Sequence, residues 1–244
     1  MDMTELSYDQ WSQILYDHFF HDEIAGEEIL FAVDSQIFTD LFPSDSANAQ
    51  SNFISAVSDA INGNKWRVDM IDERRKIWER KGREGPHPAL PFLALTVLAA
   101  SNMGDKGMSP LHYYGPLREL IDPSDESSGS PGLKDCGFVD YIEVLWLSVE
   151  EWSRKVLEGK FGILRAKSGR VNNRYVFLAQ QHSFLRTSDL RHLDKYFQRL
   201  DLEPGEKHGM ELPQLRRSVG VWANTQNGPW ADRLVAACAE RDDS

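Results

Sequence analysis

Residues 89–100, "ALPFLALTVLAA", form the longest apolar stretch of the chain. Twelve residues fall short of the roughly twenty that a membrane helix needs. A run this apolar, with no polar face, reads as a helix buried in a protein core. Pro91 fits because it falls in the first turn, where no backbone N–H is required. The fold is then decided by what surrounds this segment.

On its N-terminal side, Ser7 to about Glu23 reads as a helix. Ser7 and Gln10 have the spacing of a capping box, and Trp11, Ile14, Leu15, His18 and Phe19 recur at helical intervals. Ile29–Val33 is a short unbroken apolar run and predicts a strand buried on both faces. Asp34-Ser35 offers a cap for a short helix through Phe42, which Pro43 ends. Helices are expected at about 46–62 and 66–81, and "KGREGPHP" (81–88) is a loop by composition.

On its C-terminal side, Ser109-Pro110 begins a helix with the proline at its first position. Residues 123–137 are poor in hydrophobic residues and read as a flexible loop or linker. That linker would divide an acidic helical part (1–122) from a second helical part (138–244), or lie within one domain. Phe138, Tyr141, Ile142, Leu145, Trp146, Val149, Trp152 and Val156 keep the helical interval for five turns. Phe161–Ala166 and Arg174–Ala179 predict a β-hairpin near 161–179. A helix capped by Thr187 or Ser188, a loop at 203–213 and a helix near 229–240 complete a mainly α fold of seven to nine helices.

Net charge is −11, unevenly laid out. Residues 1–64 contain twelve Asp and Glu and no Lys or Arg, whereas 152–199 contain eleven Lys and Arg against three acids. Lys160, Arg165, Lys167, Arg170 and Arg174 cluster on the expected hairpin, and Arg186, Arg191 and Lys195 continue over the next helix. This basic surface would grip a phosphate backbone of DNA or RNA, or an acidic protein. The two charged regions could equally face each other inside the molecule. Two cysteines are too few for a disulfide scaffold, and Met1–Leu6 lacks the pattern of a signal peptide, so a cytoplasmic setting is expected.

The remaining motifs carry little chemistry. His18 and His21 in "DHFFHDE" (17–23) are three apart, but a catalytic zinc site needs three ligands, and the H-E-x-x-H pattern is missing. A histidine near a helix C-terminus is explained by the helix dipole. Asp34, after the expected strand, matches no second carboxylate at a metal-binding spacing and is explained by capping. No phosphate loop, dinucleotide fingerprint, serine elbow or C-x-x-C is present. The sequence thus defines no catalytic residue and no metal ligand, and implies no cofactor.

Arg186 and His192 in "RTSDLRH" resemble the Arg/His pair of the HEPN ribonucleases, which implies RNA cleavage at a dimer interface. Arg80 and His87 share that range of separation, and about 1.5 such pairs are expected by chance at this composition. Arg186 also precedes the helix cap, whereas the family's pair lies within a helix. Separately, "PFLALTVLAASNM" (91–103), "LHYYGPLREL" (111–120) and "LWLSVEEW" (145–152) resemble a group of bacterial proteins from anti-phage defence neighbourhoods. That resemblance implies a subunit working beside a large ATPase or nuclease, and it transfers no functional residue. Together these features lead to the expectation of a non-catalytic subunit or adaptor acting through protein contacts. A nucleic-acid-binding subunit is the alternative, and a HEPN-like or metal-dependent nuclease the third reading.

Overall fold

The computed structural model describes residues 5–62, 65–102, 110–121, 138–166, 187–200 and 212–226, with 230, 231, 234, 235 and 238 beyond them. Among these the chain is mainly helical: α1 Tyr8–Phe19, α2 Ser35–Leu41, α3 Ser46–Ala60, α4 Asp69–Arg80, α5 Leu90–Ser101, α6 Pro110–Ile121, α7 Phe138–Glu151, α8 Thr187–Arg199 and α9 Leu212–Ala223. No described helix is long and apolar enough to cross a membrane.

All twelve residues of α5 are buried, as its composition requires. It packs against α1, α3, α6 and α7, so each side of the helix meets another element. Its two hydroxyls do not stay orphaned: Thr96 donates to the Leu93 carbonyl and Ser101 to that of Leu98, both at 2.7 Å. A fully buried Leu or Phe stabilises by about 1.5–3 kcal/mol. The central position of α5 comes from this apolar area.

The capping box at the start of α1 forms as its spacing predicts, with Ser7 accepting from the Gln10 N–H and Gln10 accepting from the Ser7 N–H. Trp11 fills the space between α1, α2 and α3, with edge contacts to Phe38, Phe42 and Phe53. Its indole N–H donates to Asn52 at 2.9 Å. The helix expected to reach Glu23 stops at Phe19, because Phe20 turns into extended backbone and buries its ring against Tyr16 and Trp152. Asp34 caps α2 by accepting from the Gln36 N–H, as read from the sequence.

Two expected β elements are corrected. Residues 29–33 are extended but form no strand; only Glu28 makes a bridge, to Ile163. The run is apolar because it threads the core, with Phe31 between Phe19 of α1 and Trp146 of α7. All but the exposed Leu30 are buried, and such burial leaves the same sequence trace whether or not a neighbouring strand is paired. Of the hairpin expected near 161–179, the described residues 161–166 form no strand. Residues 159–163 lie beside 26–29 through Gly26 N–H to Gly159 O, Ile29 N–H to Ile163 O and Ile163 N–H to Glu27 O. Residues 167–179, and the linker 123–137, lie outside the described residues.

One helix was not expected. α9 begins at Leu212, inside the anticipated loop, with Pro213 in its first turn. Tyr196 of α8 tilts against Trp222 of α9 at 5.0 Å between ring centres. A single core cluster runs from Tyr8 to Ala166 and includes residues of α1 to α7.

Candidate functional site

α4 packs against α7, and the groove between them is the most chemically furnished surface of the described residues. α4 brings a line of charges. The Asp72 side chain, almost fully buried, receives Arg75 at 2.6 Å and Lys76 at 2.8 Å. Arg75 also holds Glu79 at 2.8 Å, and Arg83 approaches Glu79 at 3.7 Å. Burial pushes the Asp72 carboxyl upward, yet the bonds from Lys76 and Arg75 outweigh it and leave it below the ordinary carboxylate range.

After α4 the chain folds back on itself. Gly82, Arg83 and Gly85 all take positive φ, a conformation that costs a non-glycine residue such as Arg83 roughly 1 kcal/mol. Trp78 secures the turn by donating its indole N–H to the Glu84 carbonyl at 2.8 Å. The turn delivers His87 to the start of α5, where its Nδ1 accepts from the Ala89 N–H at 3.2 Å. That bond places the proton of the neutral ring on Nε2.

α7 supplies the opposite wall. Val144 and Leu147 are 43% and 45% exposed along the groove. At Glu151 the helix widens into a π turn over Trp152–Val156, closed by the bond from Leu157 N–H to Trp152 O. Such turns recur at functional sites. Here the widened turn is held by Ser153, which accepts from the Leu164 N–H, and Glu150, which accepts from the Ala166 N–H.

Three rings meet between the walls. Trp78 lies 4.8 Å from His87, His87 5.7 Å from Trp152, and Trp78 6.2 Å from Trp152, centre to centre. Phe20 and Tyr16 back Trp152 from the core side. Trp78 and Trp152 line a space of about 240 Å³, and His87 lies buried behind them. His87 and Trp152 are 0% and 2% exposed, and among the described residues neither His87 Nε2 nor Trp152 Nε1 has a hydrogen-bond partner. Burial, reinforced by Arg75 and Arg83, pushes the His87 pKa down to about 3, so the ring is neutral with its proton on Nε2.

The residues singled out by sequence are distributed otherwise. Lys160 pairs with Glu158 at 2.6 Å, and Arg165 comes within 4.0 Å of Glu28, a member of the acidic N-terminal stretch. Lys195 is exposed on α8, which also carries Arg191; Lys167, Arg170, Arg174 and Arg186 lie outside the described residues. His192 stacks on Trp230 at 4.0 Å. Arg80 donates to the Lys76 carbonyl, and it is Arg75 and Arg83 whose charges act on His87.

His18 lies in the last turn of α1, whereas His21 lies beyond it, 3.8 Å from Glu23. Among the described residues no group of three His, Cys, Asp or Glu could hold a metal. Sequence reasoning missed the Trp78–His87–Trp152 cluster. The one available signal was a histidine in a Gly/Pro loop directly ahead of an all-apolar helix. No family model, no curated protein and no solved structure matches this chain.

Proposed function

We propose that the protein is a non-catalytic subunit or adaptor of a bacterial multi-protein assembly, and that the groove between α4 and α7 is a face it offers to a protein partner. One observation carries this reading: exposed Val144 and Leu147 beside a Trp78/Trp152 floor, rimmed by the Arg75–Glu79–Arg83 pairs. An apolar centre with tryptophan and arginine inside a polar rim is the arrangement from which binding hot spots are made. The likeness of 91–103, 111–120 and 145–152 to proteins of defence neighbourhoods suggests a partner of the large ATPase or nuclease type.

Co-expression with the products of adjacent genes, followed by size-exclusion chromatography, tests it. The expected result is a stable complex that Val144→Asp with Leu147→Asp abolishes without unfolding the protein. A chain that stays alone at micromolar concentration beside every neighbour would sink the proposal. The nucleic-acid reading has its own test in the triple variant Lys167→Glu, Arg170→Glu, Arg174→Glu. If that surface binds a phosphate backbone, affinity falls steeply with salt and is lost in the variant.

A further inference from the structure

The turn after α4 holds a cation at the α4–α7 groove in a strained backbone. Arg83 takes φ +63°, a left-handed conformation that suits glycine, and its N–H is fixed there by a bond to the Trp78 carbonyl at 3.0 Å. A bulky residue kept at such a position points to function when the fold offers its side chain nothing in return. Among the described residues the Arg83 side chain makes no hydrogen bond. Its nearest carboxylate, Glu79, is 3.7 Å away and already bonded by Arg75 at 2.8 Å. The side chain is 37% exposed, so solvent screens that loose pair. An accessible guanidinium with its planar set of donors unbonded therefore lines the same space as Val144 and Leu147.

The surroundings define what fits there. Of the charged residues lining the space, Arg75 and Glu79 hold each other and Glu151 holds Lys155 at 3.3 Å, which leaves Arg83 without a hydrogen-bonded counter-ion. One guanidinium matches one carboxylate, whereas a phosphate dianion would also meet Glu79 and Glu151. Both walls are helical: α4 contributes 75, 78 and 79, and α7 contributes 144, 147, 148 and 151, at the intervals of one helix face. From 144 to 151 the wall is about 10 Å long. A groove between two helices, with an apolar ledge and a charged end group, takes the edge of an amphipathic helix.

We propose that Arg83 is the charged anchor of the partner face, receiving a carboxylate from an amphipathic partner helix whose large apolar side chain, one helical turn away, lies on Val144 and Leu147. The proposal rests on the reading of this groove as a partner face and adds the shape and charge the partner must carry. Side chains one turn apart start about 5–6 Å from each other, a separation that a space of about 240 Å³ accommodates. A guanidinium–carboxylate pair is charge-assisted and takes a two-pronged geometry, so it fixes orientation as well as affinity.

The experiment is a display selection of random peptides about four helical turns long, run in parallel on the full chain and on its Arg83→Gln variant. The wild-type selection should enrich peptides with a large apolar residue and an Asp or Glu three or four positions away, and the Arg83→Gln selection should lose the acid. For the most enriched peptide, Arg83→Gln and replacement of the acid by its amide should each weaken binding roughly tenfold. The two changes together should cost no more than either alone, as a direct contact requires. Val144→Asp should weaken every pairing. Arg83→Gly should bind as poorly as Arg83→Gln yet melt no lower than wild type, because glycine adopts this φ freely.

No enriched peptide, enrichment without the acid, or additive losses in the double variant would each overturn the proposal. So would an Arg83→Gly protein that melts well below wild type, which would make Arg83 a structural residue. If enriched peptides depend on Val144 and Leu147 but not on Arg83, the charged anchor fails and the partner face stands. If they depend on Arg83 while no gene neighbour binds, the assembly reading fails and the anchor stands.

Discussion

His87 is the residue whose behaviour can be forecast most sharply. Its ring is kept neutral in the fold, with the pKa at about 3 against about 6.5 in an unfolded chain. Below pH 6.5 the unfolded state takes up a proton that the folded state refuses, so stability falls as pH falls from about 6.5 toward 3. The slope approaches about 1.4 kcal/mol per pH unit from this group alone. His87→Gln, which keeps an acceptor near the Ala89 N–H, should flatten the difference between urea midpoints measured at pH 7 and pH 5. An unchanged pH dependence would mean that His87 titrates in the fold as it does outside it. Asp72 makes a second forecast: Asp72→Asn leaves Arg75 and Lys76 without their shared anion. Thermal denaturation should report a loss of about 1–3 kcal/mol, and a melting temperature equal to wild type would contradict it.

At the scale of elements, α5 and the 159–166 segment respond to volume. Leu95 is fully buried at the centre of α5, so Leu95→Ala should cost about 2–5 kcal/mol in denaturant unfolding. Gly162 has φ +89°, and a Cβ there would lie 2.7 Å from Ile29 and 2.8 Å from Ile24. Gly162→Ala should therefore cost about 1–3 kcal/mol and loosen residues 24–29, visible as faster amide exchange at Ile29 and Ile163. Helices with a cap or a full apolar periodicity were legible in the sequence. Ser7 with Gln10, Asp34 with Ser35, and the stripe from Phe138 to Val156 each write a local rule. Phe20 and Ile29–Val33 were not, because their conformation is set by rings that arrive from α7, far along the chain. α9 was hidden by Pro213, which closed the stretch read as a loop and here sits in the first turn of a helix. The groove was illegible for the same reason as residue 31: Trp78, His87 and Trp152 are brought together only by the packing of α4 on α7.

For the whole molecule, the acidic N-terminal stretch and the later basic residues meet at two described points, Asp9 with Arg74 and Glu28 with Arg165. Both pairs are exposed enough that solvent screens them, and the Arg165 contact is at the outer limit of an ion pair. At these two described points charge complementarity contributes little to stability. Arg165→Gln should change unfolding stability by no more than about 1 kcal/mol, less than the packing variants. A larger loss would assign the acidic–basic contact a structural role. Positions read from charge alone describe where the molecule meets solvent, whereas the core that positions the groove is written in apolar spacing.

The π turn at the end of α7 has a consequence for how the chain returns to the core. Its extra residue follows Trp152, so the indole keeps the α-helical register of α7 while everything after it is shifted, and the shifted chain is what brings residues 159–163 against 26–29. The turn acts as a register shifter, governed by chain length as well as by side-chain identity. Deleting one residue between 154 and 156 would leave Trp152 in place but carry Gly159 and Ile163 out of step with Gly26, Glu27 and Ile29. A related chain could thus keep every buried ring and still lose this seam to a single missing codon.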